Sequence, residues 1–170
     1  MPKQLEHQQI INTPHTFPLV VVCENVNDPR NVGMAFRICE AMGVEKLYLC
    51  GDTPTPPHKK ISRVARSTEQ WLPFVYKENI KAVLLDLKEQ GYWLCGLEIT
   101  DKSQDLRNYS FQEYKAIALV IGAEQHGISA DTLLHLDQTV HINMYGRNTS
   151  INVIMAMSIA LYEIGRQLKT

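Results

Sequence analysis

The chain is short of the features that mark the simpler functional classes. Its four cysteines, Cys23, Cys39, Cys50 and Cys95, are widely spaced and form no C-x-x-C pair. That argues against a zinc site and fits reduced thiols, so no metal is expected. Charge of neither sign is in excess: 17 Lys and Arg against 18 Asp and Glu leave a formal net charge of −1. A field around the whole molecule is therefore absent, and any nucleic-acid contact has to come from a local basic patch. No apolar run reaches membrane-spanning length and no signal-peptide pattern is seen. The expectation is a soluble, cytoplasmic protein without membrane association. No G-x-G-x-x-G occurs, which excludes the dinucleotide-binding fingerprint. Gly122 and Gly127 have the spacing of a phosphate loop, but Ile128 follows where that loop needs lysine. A nucleotide triphosphatase is excluded on that ground.

What is present is a series of apolar strands separated by turn-rich loops. At 170 residues one domain, 1–170, is expected, opening with a polar arm over 1–16. Residues 17–23 are an almost continuous apolar run, the pattern of a strand buried on both faces in a parallel sheet. In the loop that follows, Asp28 or Asn31 can start a helix over 32–42, which Gly43 stops. Residues 46–51 make a second strand, so the first unit is βαβ with a right-handed crossover. Residues 71–76 read as an edge strand, because Pro73 cannot donate to a ladder. Asn79 caps a helix that runs to Gln90. Strands at 92–98 and 117–122, a short helix from Ser129 or Ala130 to His135, and a sixth strand through Val140 complete the series. The expected fold is α/β, a roughly six-stranded, mainly parallel sheet with helices on both faces.

The stretch 140–163 carries the densest pattern. Val140, Ile142 and Met144 alternate with polar residues, and Gly146 breaks the strand. After a small polar loop comes a helix that is apolar on most faces, expected to be buried on more than one side. Thr149 or Ser150 is its expected N-cap. Ligands of open α/β sheets bind beyond the carboxyl ends of the strands. Three of these ends carry polar, glycine-bearing loops, at 25–31, 122–127 and 145–152. On the residues alone this is a ligand-binding α/β domain. Lys59, Lys60, Arg63 and Arg66 form the local basic cluster, either a solvated face or a phosphate-contacting strip.

Together the three loops resemble the motifs of the SpoU (TrmH-type) family of RNA 2′-O-methyltransferases. Asn31-Val32-Gly33-Met34-Ala35-Phe36-Arg37 is similar to its N-x-G-(A)-x-x-R. Gly122-Ala123-Glu124-Gln125-His126-Gly127-Ile128 is similar to G-x-E-x-x-G-(L/I). Residues 142–153 are similar to I-P-M-x-G-x-x-x-S-L-N-V, with Asn143 in place of proline and Ile151 in place of leucine. The Asn143 change is expected to alter the rigidity of the strand exit more than the chemistry. The resemblance covers 18–165. It implies a C-terminal deep trefoil knot, a homodimer with the active site at its interface, and S-adenosylmethionine held in the knot.

Carried onto this sequence, the resemblance assigns cofactor contacts to Leu97, Gly122, Ile142, Met144, Ser150 and Ile151. Ser150 and Asn152 would order the loop near the reacting groups; the structural alternatives are an N-cap hydroxyl and a polar residue in the first helical turn. Arg37 is the catalytic residue implied, meeting the RNA at the reacting ribose. Arginine stays protonated in proteins, so a bidentate clamp on the neighbouring phosphate is expected rather than a base. Glu124 would orient Asn31 or Arg37, or serve as a structural carboxylate at a turn. Arg30, Lys59, Lys60, Arg63, Arg66 and Arg147 are the expected RNA contacts, and the segment 61–66 resembles the family's region for flanking RNA. Transfer RNA is expected ahead of ribosomal RNA, because the arm before the first strand is too short for an added RNA-binding domain. The alternatives are a ribosomal RNA methyltransferase, a non-catalytic knotted RNA-binding protein and a small-molecule methyltransferase.

Overall fold

Parallel strands need crossovers, and the crossover helices cover both faces of the sheet. The computed structural model describes residues 1–168. In chain order the elements are β1 (Phe17–Glu24), α1 (Pro29–Ala41), β2 (Val44–Cys50), α2 (Lys59–Ala65), β3 (Phe74–Lys77) and α3 (Ile80–Glu89). They continue with β4 (Trp93–Leu97), β5 (Gln104–Asp105), β6 (Ile117–Ile121), α4 (Ala130–Leu133), β7 (Gln138–His141) and α5 (Val153–Gln167). The sheet order is β3-β2-β1-β6-β4-β7-β5. Every pairing between these strands is parallel.

The sheet thus has seven strands where the sequence pattern gives roughly six. The addition is β5, which pairs with β7 through Gln104 opposite Val140 and Asp105 opposite His141. Two residues carry no alternation, so the pattern assigns them to a polar connection. β3 lies at an edge, as Pro73 requires, but starts at Phe74 and leaves Trp71 exposed.

The inner strands explain the continuous apolar runs. All five residues of β6 are buried, as are Leu19 through Cys23 of β1. Such burial on both faces contributes about 2 kcal/mol per Leu, Ile or Val side chain. One face packs against Phe36 of α1 and against Ile154, Met157, Leu161 and Ile164 of α5. The other packs against Val83, Leu84 and Leu87 of α3 and Leu133 of α4. All four cysteines are buried. Burial pushes their thiols up, to about 12 for Cys50 and Cys95.

Two helix starts need comment. α1 begins at Pro29, ahead of the expected 32, and is capped by Asp28, one of the two expected starts: Arg30 N donates to Asp28 Oδ1 at 2.8 Å. α5 is capped by Asn152, neither by Thr149 nor by Ser150. Asn152 Oδ1 accepts from Ile154 N at 2.9 Å and Met155 N at 3.3 Å. The helix is also not enclosed within this chain. Its inner side is buried, but Met155, Ile159 and Tyr162 are exposed, and Ile151 before the helix is exposed too. It is apolar nearly all round yet packs on the sheet along one side only.

The chain places β2 and β3 on one side of β1, then crosses to build β6, β4, β7 and β5 on the other. The carboxyl ends of β1 and β6 flank that reversal, and ligands of doubly wound sheets bind there.

Candidate functional site

Three side chains from three separated loops join beyond these strand ends. Glu124, after β6, accepts from Asn31 Nδ2 at 2.7 Å, from Asn27 N at 3.1 Å and from Asp28 N at 3.2 Å. Asn31, in the first turn of α1, accepts through its Oδ1 from Asn152 Nδ2 at 3.3 Å. Asn152 in turn caps α5. The row Glu124–Asn31–Asn152 therefore ties the β6 loop, the α1 N-terminus and the α5 N-terminus together. Partial burial raises the pKa of Glu124, but the donors from Asn31, its own backbone and the Asn27 and Asp28 amides outweigh it. The net shift is downward, so Glu124 is a carboxylate at neutral pH.

Beside this row lies a cavity of about 420 Å³. Leu97, Gly122, Ile142, Met144, Ser150 and Ile151, the six residues expected at a cofactor, all line it. Glu124 and Asn152 also reach it. One wall is the loop 122–127, closed on itself by Ala123 N to Gly127 O at 3.0 Å and Gly127 N to Ala123 O at 2.9 Å. A Cβ on Gly122 would run into the Gly127 backbone. Gly127 has φ +65°, a region that favours glycine. Both glycines are thus required by the loop's own closure.

Sequence reasoning missed Glu98, which holds this loop from below. Its carboxylate accepts from Ile128 N and from Ile99 N, each at 3.0 Å. A carboxylate just past a strand end gives no periodic signal.

At β7 and β5 runs a second polar row that was also missed, of which His141 lines the cavity. Asn143 Nδ2 donates to Asp105 Oδ2 at 2.6 Å, and Asn143 Oδ1 lies 3.3 Å from His141 Nε2. His141 Nδ1 lies 2.9 Å from Ser103 Oγ. Asn143 therefore replaces a rigid imino acid with a side-chain tie between β7 and β5. The Arg107 guanidinium, hydrogen-bonded to Asp105, holds that carboxyl well below the usual carboxylate range.

Arg37 is placed apart from the cavity lining. It is exposed on α1, on the same stripe as exposed Arg30 and Met34. Arg30 forms a bidentate pair with Asp28, Nη2 to Oδ2 at 2.7 Å and Nε at 3.1 Å from both oxygens. Lys59 and Lys60 open α2, Arg63 sits in its last turn, and Arg66 is its left-handed C-cap. These four are exposed, as is Arg147 in the loop before α5. α2 lies close against α1 because Gly33 has no side chain; a Cβ there would meet Ile61 O at 2.7 Å and Val64 Cβ at 2.9 Å. Among the described residues, no helix is long and apolar enough to cross a membrane.

Residues 18–162 match the profile of the SpoU rRNA Methylase family. Over 167 residues the chain is 32% identical to the 23S rRNA (guanosine-2′-O-)-methyltransferase RlmB of Vibrio parahaemolyticus, covering 97% of this chain and 66% of that protein. The chain thus spans just under two thirds of that relative's length. The solved A. aeolicus TrmH/SpoU tRNA modifying enzyme shares 28% identity with a TM-score of 0.80, over 90% of this chain and 76% of that one. The SpoU methyltransferase AviRb from Streptomyces viridochromogenes, solved in complex with the cofactor AdoMet, matches at 25% identity with a TM-score of 0.80, over 91% of this chain and 62% of that one.

Proposed function

The chain belongs to the SpoU rRNA Methylase family, and from that premise we propose that it transfers a methyl group from S-adenosylmethionine to a ribose 2′-hydroxyl of RNA. The observation that carries this reading is the row Glu124–Asn31–Asn152, which draws three loops together at one cavity.

The cavity suits the cofactor's chemistry. Its volume of about 420 Å³ falls within the range of about 300–1,000 Å³ usual for small-molecule sites. Leu97, Ile142, Met144 and Ile151 offer apolar wall for an adenine ring, and the strand-end backbone offers hydrogen bonds for its edge and for the ribose. Ser150, Asn152 and Glu124 add polar groups to the lining. When bound, S-adenosylmethionine supplies an electrophilic methyl on a sulfonium, open to in-line displacement by the 2′-oxygen. The protein's part is mainly positioning, since displacement needs the nucleophile about 3 Å from the methyl and aligned with the leaving sulfur. Asn31 and Asn152 fix the cavity edge where the ribose would lie. Arg37 would clamp the neighbouring phosphate and favour the developing alkoxide without acting as the base, the 2′-hydroxyl proton passing to solvent water as the methyl leaves the sulfur.

Arg37 lies off the cavity lining of its own chain, and α5 leaves Ile151, Met155, Ile159 and Tyr162 uncovered. A homodimer accounts for both facts, covering the stripe and completing the site between protomers. We also read the C-terminal segment as knotted. In support, β7 sits between β4 and β5, and α5 packs back against α1 and β4.

RNA is gripped by Lys59, Lys60, Arg63 and Arg66 with Arg147, the charge of Arg30 being matched by its pair with Asp28, and transfer RNA is the pool we favour. The likeness to a tRNA modifying enzyme, which this chain spans for 76% of its length, supports that choice. The test is transfer of radiolabelled methyl to transfer RNA and, separately, to ribosomal RNA, each from cells lacking this protein. Digested product should contain 2′-O-methyl nucleosides. Label in ribosomal RNA alone would overturn the transfer RNA choice; label in neither, with cofactor binding intact, would favour a non-catalytic RNA-binding protein.

A further inference from the structure

Past the rim of the cofactor cavity, Tyr145 stands 80% exposed. Its neighbour Met144 lines the cavity. The ring is nevertheless supported. The Arg107 guanidinium carbon lies 5.5 Å from the ring centroid. Arg107 is held by Asp105, with Nη2 at 2.6 Å and Nε at 3.1 Å from Oδ2, and with its backbone N at 3.0 Å from Oδ1. Asp105 takes a further bond from Asn143, and Asn143 is steadied by His141. The support therefore runs from the exposed ring back to β5 and β7 without a gap.

We propose that Tyr145, backed by Arg107, is a stacking platform for an unpaired nucleobase flanking the target ribose. This rests on the RNA reading given above. Three features select a base over other occupants. The guanidinium charge is already matched by Asp105, so Arg107 is not a free phosphate clamp; what it offers is a flat cation behind the ring. With most of the ring exposed, an aromatic surface is left open, and unpaired bases of RNA are recognised by stacking on such rings. Lastly, the sheet order puts β7 and β5 at the opposite end from β2 and β3, whereas the basic strip lies on α2 against α1. Backbone charge and base stacking would then hold the RNA on two sides of the cavity.

The probe is an unstructured oligoribonucleotide bearing 2-aminopurine, titrated with the full chain in saturating S-adenosylmethionine. Wild-type protein should bind it with salt-dependent affinity and quench the fluorophore. Tyr145→Ala should weaken binding about tenfold and abolish the quench. The slope of log affinity against log salt should stay the same, because no charge is removed. Tyr145→Trp should restore both affinity and quench. Unchanged affinity and quench in Tyr145→Ala would overturn the platform while leaving the RNA reading intact. A change in light-scattering mass with RNA binding unaltered would overturn it too, by assigning the ring to a contact between copies of the chain. Wild-type protein that binds no RNA at any salt would remove the RNA reading and the platform together.

Discussion

Glu124 takes three donors from the segment 27–31 and, among the described residues, forms no salt bridge, so its charge is held by dipoles. Its folded pKa lies below the ordinary value of 4.5, and its contribution is therefore complete above that value and lost as pH falls through the folded one. Cofactor affinity should be flat through the neutral range as far as this group is concerned, and should fall on acidification; isothermal titration across pH reads it. Glu124→Gln imitates the acid state at neutral pH by setting an amide donor against backbone N–H groups. Glu124 is exposed, so water can take up the freed amides and the melting temperature should move little, while the loosened hold on Asn31 should lower methyl transfer about tenfold through misplacement of the reacting groups. A Glu124→Gln protein with full activity would make the carboxylate merely structural. Arg37→Ala makes the opposite separation. Turnover should disappear while cofactor affinity stays within about twofold, because Arg37 is absent from the cavity lining. A large loss of cofactor binding would move Arg37 out of the catalytic role.

At the scale of elements, α5 is the helix on which the site hangs, and its cap has two duties. Asn152 Oδ1 satisfies two amides of the first turn while Nδ2 reaches Asn31. Asn152→Ala loses both and should cost about 1 kcal/mol of stability in denaturant unfolding. Asn152→Asp keeps the cap, places a negative charge at a favourable helix end, and loses only the donor. It should retain stability and still lose activity; equal activity in the Asn152→Asp variant and the wild-type protein would show that the bond to Asn31 is idle. The helices themselves were legible because their punctuation is local: Asn79, Ser129 and Gly43 each act on neighbours in sequence. β5 was not legible, since its two residues are a strand only by pairing with β7. The capping of α5 was misread for a related reason. Thr149, Ser150 and Asn152 are all competent caps, and contact with Asn31, more than a hundred residues away in sequence, accompanies the choice of one. Of the site, the three loops and six of the residues that line the cavity could be read from the sequence, through family likeness more than periodicity. Glu98, His141 and Asp105 each also bond to a residue distant in sequence, Ile128, Ser103 and Asn143, and nothing in their immediate neighbourhood announces that.

For the whole molecule, the open question of burial lies on the outer side of α5. In the homodimer proposed above, the exposed stripe of Ile151, Met155, Ile159 and Tyr162 is the surface that a second copy covers. Light scattering should give twice the 19.4 kDa of one chain, and Ile159→Glu should shift the mass to that of one chain and remove activity. A wild-type monomer that is fully active would contradict a site shared between protomers. The sheet centre carries a different kind of information. Cys23, Cys39, Cys50 and Cys95 sit on β1, α1, β2 and β4, and each is both shielded and held as the neutral thiol. An alkylating reagent needs access and a thiolate, so each cysteine reacts only when the segment around it opens. The rate of adduct formation at each position, read by mass spectrometry, is then a clock for opening of the native protein, one hand on each of four neighbouring segments, with no label engineered in.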